Sequence, residues 1–412
     1  MRLPDVLPVM IEPIVQFGTS RFLLAHADLF VSDALQGCAG AHSAIGGITV
    51  VQTTDNPASS ARVAALAAGS GYPVVIRGIG AGRQVDERVQ CTAVRQALRT
   101  HDPAHWQALR AGVASPAVRV ILSNTADRGY ALRDEDGPAA LAADAPAPAS
   151  FPAKLLVLLH GRWTSSPDAP LTLLPCELIE RNGQVLHELV CTLAARWRLD
   201  EAFIAWLGTR CVWANSLVDR IVSEAIEPVG AVAEPYALWA IEAQDGLQLP
   251  CEHPAITLTD NLEQFEQLKL FLLNAAHTFL AERWLQGQAD GSRPADEIVR
   301  QAMCDAALRA ELEALWAEEI LPVFGASGSA GHAVALAYVG SVRERFENPF
   351  LHHRLADIAQ NHAQKKQRRL APIIARAEAL GLQLPQPRLR AALATCSGRE
   401  SAQATPSRIS VS

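Results

Sequence analysis

Apolar and polar positions follow two rhythms along this chain, and the change of rhythm divides it. Residues 14–17 (IVQF) form a short apolar run closed by Gly18, and SRFLLAHADLFVSDAL (20–35) then repeats its apolar positions at helical spacing. This predicts a strand, a tight turn and a helix. GITVVQTT (47–54) reads as a second strand and the stretch from Ser59 to Ala68 as a second helix. YPVVIRGIG and RQVDERVQCT (72–92) predict a hairpin, and AVRVILSNT (117–125) a buried parallel strand ending in a polar loop. A helix at 152–163 and a strand at 171–178 continue the alternation, which is the signature of an α/β sheet. After Val222 the strand pattern nearly vanishes, PAITLTD (254–260) excepted, and helical spacing takes over. The expected division is an α/β domain over 1–222, a mostly helical domain over 223–396, and a Ser-rich polar tail over 397–412 expected to be disordered.

Composition narrows the function classes. The chain has 412 residues, enough for two full cores, and its 49% hydrophobic and 19% charged content is ordinary for a globular protein. A net charge of -7 argues against nucleic acid as partner, because a phosphate backbone selects a basic face. The expected partners are a small molecule and, at most, further copies of the chain as a small homo-oligomer. The eight cysteines include no C-x-x-C pair, so they read as reduced apolar fillers of a cytoplasmic protein, with no metal site. Pro4 and Asp5 break the apolar run that an export signal needs, and no stretch is long and apolar enough to span a membrane.

Four constellations carry candidate chemistry. The turn Phe17-Gly18-Thr19-Ser20-Arg21-Phe22 sits between a strand and its helix, where backbone N–H groups can receive a dinucleotide pyrophosphate. It reads either as that cradle or as a plain strand–helix turn, since only Gly18 survives of a G-x-G-x-x-G pattern. Asp55 is the acid nearest the end of the second strand, placed to bind ribose hydroxyls or to cap a loop. The second constellation is LKLFLLNAAHTFL (268–280), an apolar helix holding Lys269, Asn274 and His277. At about 100° per residue these project at about 0°, 140° and 80°, on one side of the helix. A lysine desolvated there would have its pKa lowered and would serve as a general base, with the asparagine amide donating to a developing alkoxide and the histidine orienting either group. The alternative is a snorkelling lysine beside two structural hydrogen-bonding residues. The third is WANSLVDRIVSE (213–224), with Asn215, Asp219 and Arg220 interrupting an apolar run at the expected domain boundary. The fourth is RERFENPFLHHRL (343–355) with NHAQKKQRR (361–369), whose cations can hold a carboxylate or phosphate. The later cluster reads more simply as a solvated basic helix face.

The spacing Lys269-x4-Asn274-x2-His277 resembles the catalytic signature of the long-chain polyol (mannitol) dehydrogenase family. LSNTADRG (122–129), FPAKL (151–155), PCELIERNG (175–183), SLVDRIV (216–222), LNAAHT (273–278) and RFENPFLHH (345–353) look most like its tagaturonate-reducing members. The resemblance runs in order from Ile14 to about Pro372. It implies a metal-independent NAD-dependent alcohol dehydrogenase, NADP not excluded, with a Rossmann-like N-terminal domain and a helical substrate domain. It further implies Lys269 as general acid/base, Asn274 as oxyanion-stabilising amide and His277 as substrate-orienting histidine. Phe17 to Phe22, Asp55, Asn124 and Asp219 would line the cofactor, and Asn215, Asp219, Arg345, His352 and Lys365 the substrate. Two positions depart from the family pattern. Arg21 stands in the glycine turn where relatives carry a small or polar residue, and Leu178 stands where polyol-oxidising members carry asparagine. The second departure favours a keto-sugar acid and its aldonate as substrate pair over the alternatives, a polyol or polyol phosphate. A non-catalytic dinucleotide sensor is the remaining alternative of another class.

Overall fold

A computed structural model describes residues 10–56, 59–125, 127–326 and 328–395. The tail expected at 397–412 and the first nine residues lie outside them. The chain forms two compact units, one of residues 1–77 and 85–262, the other of residues 78–84 and 263–412.

The first unit holds strands β1 (Ile14–Phe17), β2 (Ile48–Gln52), β3 (Tyr72–Gly80), β4 (Arg83–Cys91), β5 (Val94–Arg99), β6 (Val120–Ser123), β7 (Leu171–Pro175) and β8 (Cys211–Trp213). Then come β9 (Ser216–Asp219), β10 (Val222–Ala225), β11 (Ala231–Ala233), β12 (Leu238–Glu242) and β13 (Ile256–Thr259). Six strands make one sheet in the order β5-β2-β1-β6-β7-β8, every pair parallel. Counted within that sheet the order is 3-2-1-4-5-6, the doubly wound dinucleotide-binding arrangement. Its central strands are buried on both faces, IVQF and VILS without exception, which is why they read as apolar runs rather than alternations. The order reverses between β1 and β6, so the crevice for a ligand lies at their carboxyl ends. The hairpin expected at 72–92 is β3–β4; its two-residue turn puts both Ala81 (φ 50°) and Gly82 (φ 74°) in the left-handed region, as tight hairpins prefer.

The boundary expected at Val222 is corrected by the strands that follow it. β10 and β11 extend the hairpin into a four-stranded sheet, β10-β11-β3-β4, while β9, β12 and β13 form a three-stranded one, and the first unit runs on to Leu262. These strands are three to five residues long, and edge strand β10 (VSEA) is not buried at any position. A period of two cannot establish itself over so few residues, which hides β10, β11 and β12 from pattern reading, whereas β13 lies within the strand expected at 254–260.

The described part of the second unit is helical from Glu263 onward, with a core built on Phe271, Leu272, Phe279, Trp316, Phe324 and Phe346. Its opening helix is not uniform. Leu262–Gln267 is α-helical, Leu268–Asn274 is a π-helix, and Ala275–Asp290 returns to α until Gly291 closes it at φ 77°. Among the described residues no helix is long and apolar enough to cross a membrane.

Candidate active site

The glycine turn sits where the parallel sheet needs it. Gly18 N–H donates to the Val51 carbonyl (3.0 Å) and Asn124 N–H to the Phe17 carbonyl (2.9 Å), pinning the ends of β1, β2 and β6 together. Gly18 has φ +115°, and a Cβ there would stand 2.5 Å from the Asn124 carbonyl oxygen. No other residue fits this approach. Ser20 caps the short helix Arg21–Leu24 through Leu23 N–H (3.5 Å), and its hydroxyl donates to Asn124 Oδ1 (3.5 Å). Thr19 offers its carbonyl to Arg62 Nη1 (3.1 Å), Phe17 lies under the turn against Phe151 with centroids 5.2 Å apart, Phe22 is half-buried and Arg21 is exposed. Asp55 is solvent-facing past the end of β2, its Oδ1 3.5 Å from His101 Nε2. The carboxyl-end crevice, the glycine cradle that a Cβ would fill and the exposed Arg21 fit a dinucleotide.

The sequence singles out Asn124 here but not Glu177, Tyr130 or Asn182, which hold the surrounding loops. Buried Glu177 accepts from Ser123 Oγ (3.0 Å), Thr125 N (2.9 Å), Thr125 Oγ1 (3.0 Å) and Tyr130 Oη (3.2 Å), fixing the Ser-Asn-Thr loop. Burial raises its carboxyl, and these donors pull it back. Asn124 Nδ2 donates to the Cys176 carbonyl (2.8 Å), which orients the amide. Asn182 Nδ2 donates to the carbonyls of Pro175 (3.1 Å) and Ser216 (2.9 Å), tying β7 to β9. Leu178 stands 71% exposed beside this network.

Of the third constellation, Asn215 is occupied inside the fold. Its Nδ2 donates to Glu242 Oε2 (2.7 Å) and its Oδ1 accepts from Gln184 N–H (3.0 Å). Arg220 donates to the carbonyls of Glu234 (3.0 Å through Nε) and Ala25 (2.6 Å through Nη1), a structural staple. Asp219 is buried at the end of β9, opposite Leu238.

The second unit carries the candidate catalytic trio on the helix with the π segment. Lys269 and Asn274 lie within that segment and are half-buried; His277 follows one turn later and is buried. In this stretch the ladder bonds run from residue i to i+5, as from Ala275 N–H to the Leu270 carbonyl. A turn therefore takes more residues than in an α-helix, and Asn274, five after Lys269, rotates back toward the lysine instead of away from it. Wide turns disturb carbonyl pairing, and the Trp316 indole donates to the Leu272 carbonyl (3.1 Å), satisfying one of them from outside the helix.

Around His277 the lining is cationic. Its ring lies 4.5 Å from Phe346 and 4.7 Å from His353, centroid to centroid. Burial drives its pKa well below the ordinary value, and its strongest charged neighbours, His353, Arg345, Arg369 and Lys365, all push the same way. Arg345 is 3% exposed. His352, expected at the substrate, is exposed, and the adjacent His353 instead meets His277. The basic run 361–369 is not simply a solvated face. Lys366 is buried against Glu282 (3.2 Å), and Lys365 and Arg369 are half-buried, whereas Arg368 faces solvent. Within the basic run the sequence singles out Lys365 and not Arg369; the spacing of four between them is the available signal, since residues four apart share a helix face.

Comparison with known proteins agrees with this architecture. Residues 12–251 match the mannitol dehydrogenase Rossmann domain and residues 261–397 the mannitol dehydrogenase C-terminal domain. Altronate oxidoreductase of Halalkalibacterium halodurans is 32% identical over 382 residues, 88% of this chain and 70% of that protein. The altronate oxidoreductase of Yersinia enterocolitica is 31% identical over 408 residues, 93% and 78% of the two chains. Among solved structures, D-sorbitol dehydrogenase in substrate-free form is similar with TM-score 0.72 at 22% identity, covering 90% of this chain and 77% of that one. Mannitol 2-dehydrogenase of Pseudomonas fluorescens, solved as a ternary complex with NAD and D-mannitol, is similar with TM-score 0.66 at 21% identity, covering 93% and 79%. The chain therefore belongs to the mannitol dehydrogenase family and is an NAD-dependent oxidoreductase acting on CH–OH groups.

Proposed function

We propose that the protein interconverts a keto-sugar acid of the tagaturonate type and its aldonate. The observation that carries this reading is the helix bearing Lys269, Asn274 and His277, with Arg345, Lys365 and Arg369 around the histidine. A neutral polyol gives such a lining no counter-charge, whereas a carboxylate does. The altronate oxidoreductases similar to this chain carry names of the same substrate class.

When bound, NADH supplies the hydride for the keto carbon. Phe17 to Phe22 and Asn124 hold the dinucleotide, with Asp55 and Asp219 as further candidate contacts. Lys269 donates the proton that the keto oxygen takes up on reduction, and in the reverse direction it removes the hydroxyl proton. Asn274 donates its amide N–H to that oxygen as negative charge develops on it. His277 stays neutral in its buried, cation-flanked position, so it orients a substrate hydroxyl as a hydrogen-bonding group rather than as a charge.

Following absorbance of NADH with tagaturonate, altronate, mannitol and mannitol 1-phosphate tests the reading. Turnover on the acid pair is expected to exceed that on the neutral polyol, and Lys269→Ala is expected to lower kcat roughly 100- to 10,000-fold. Full turnover by Lys269→Ala on every accepted substrate would end the mechanism.

A further inference from the structure

The basic helix His362–Arg369 holds an arrangement that folding alone disfavours. Lys365 and Arg369 are four residues apart, so they share a face, and like charges at that spacing repel. Other partly buried cations of this unit are matched with acids: Lys366 with Glu282 (3.2 Å), Arg343 with Glu313 (2.7 Å), Arg293 with Glu297 (2.8 Å). Among the described residues no carboxylate lies within ion-pair distance of Lys365 or Arg369. Lys365 Nζ donates to the Ile358 carbonyl (2.8 Å) and Arg369 Nη1 to Thr278 Oγ1 (3.3 Å). Burial lowers the pKa of both, and each adds to the positive field at His277.

The Arg369 contact leads directly to the candidate catalytic helix. Thr278 follows His277 in sequence, and its hydroxyl donates onward to the Asn274 carbonyl (2.9 Å). The guanidinium is thus held by the same backbone turn that carries Asn274 and His277. Each cation spends one donor on these anchors, leaving two N–H groups of the lysine and most of the arginine fork for an incoming acceptor. Two cations spaced along one helix face suit a planar carboxylate.

We propose that Lys365 and Arg369 together form the carboxylate-binding subsite, and that this pair sets selectivity for a sugar acid over a neutral polyol. The inference rests on the sugar-acid reading above and adds a residue, Arg369, and a division of labour. Lys269, Asn274 and His277 act at the reacting carbon, while the basic helix selects the far end of the substrate.

The test measures kcat/KM for altronate and for mannitol, with NAD, in wild type, Arg369→Gln, Arg369→Lys and Lys365→Gln. The expected result is that each glutamine variant lowers the altronate-to-mannitol ratio at least about tenfold, mainly through the KM for altronate, because each removes a hydrogen bond to a charged group. Arg369→Lys should recover part of the loss, since it restores charge without the fork. Circular dichroism checks folding, and if Arg369→Gln fails to fold, Lys365→Gln decides. A ratio within twofold of wild type in the folded variants overturns the subsite. If instead wild type itself turns mannitol over as well as altronate, the sugar-acid reading is what has failed.

Discussion

His277 and His353 meet edge to face with their ring centroids 4.7 Å apart, and burial lowers the pKa of both. His277 is further pressed by Arg345, Arg369 and Lys365; His353 is pressed by Lys365 and Arg345 and relieved in part by Asp357. Both rings are therefore neutral in the folded protein at pH values where free histidine has already charged.

Acid stability follows from that relationship. In the unfolded chain both rings take up protons near the ordinary value of 6.5, whereas in the folded chain they resist to lower pH. Their contribution is present above about 6.5 and is lost as pH falls below it, at up to about 1.4 kcal/mol per pH unit for each ring. Replacing His353 with phenylalanine should flatten the fall of Tm between pH 6.5 and 5 relative to wild type. An unchanged slope would mean that His353 is already protonated in the fold.

Gly18 supplies a second prediction. Alanine at this position must adopt a φ of +115° and place its Cβ 2.5 Å from the Asn124 carbonyl, so the carboxyl ends of β1 and β6 have to part. Gly18→Ala should weaken NADH binding about tenfold or more, equivalent to about 1.4 kcal/mol, as read by NADH fluorescence titration. The effect on KM for the sugar should be much smaller. A variant with wild-type NADH affinity would show that the cofactor does not use this turn.

Asp28 makes a third. It is fully buried on the helix Ala27–Gln36, hydrogen-bonded by Tyr72 Oη (3.0 Å), and burial pushes its carboxyl up to about 7 from an ordinary 3.8. The unfolded chain releases this proton at lower pH than the folded one, so its stabilising effect is complete below about 3.8 and declines as pH rises toward 7. Asp28→Asn removes the titration. Its unfolding free energy relative to wild type should rise by a few kcal/mol, order of magnitude, between pH 4 and pH 7.5 in denaturant melts. A constant difference across that range would show Asp28 to be ionised in the core.

Much of this molecule was legible because long, fully buried elements leave strong patterns. IVQF and VILS announced the parallel sheet, and the apolar helix around Lys269 announced itself by its three polar interruptions. What stayed hidden depended on a few atoms or a few residues. β10 to β12 are too short to display a period, so the strand pattern seems to end at Val222 with only 254–260 beyond it. Adjacent histidines cannot be told apart by composition, and only backbone direction decides that His353 rather than His352 faces His277. Glu177 looked like one letter of a motif, yet its role exists only once Ser123, Thr125 and Tyr130 have been folded around it. Arg369 was lost in a run of basic letters whose members differ in burial rather than identity.

The π segment at Leu268–Asn274 gives the trio a property that side-chain identity does not capture. Its geometry is a matter of counting. Removing a single residue between Lys269 and Asn274 would let the ladder relax to ordinary α spacing, and because about five residues of π-helix turn as far as about four of α-helix, the downstream half of the helix would keep its orientation. The wide turn is thus an insertion absorbed locally: it lets a helix otherwise in α register carry Lys269 and Asn274 five residues apart on one side, with the core residues Phe271, Leu272 and Leu273 between them.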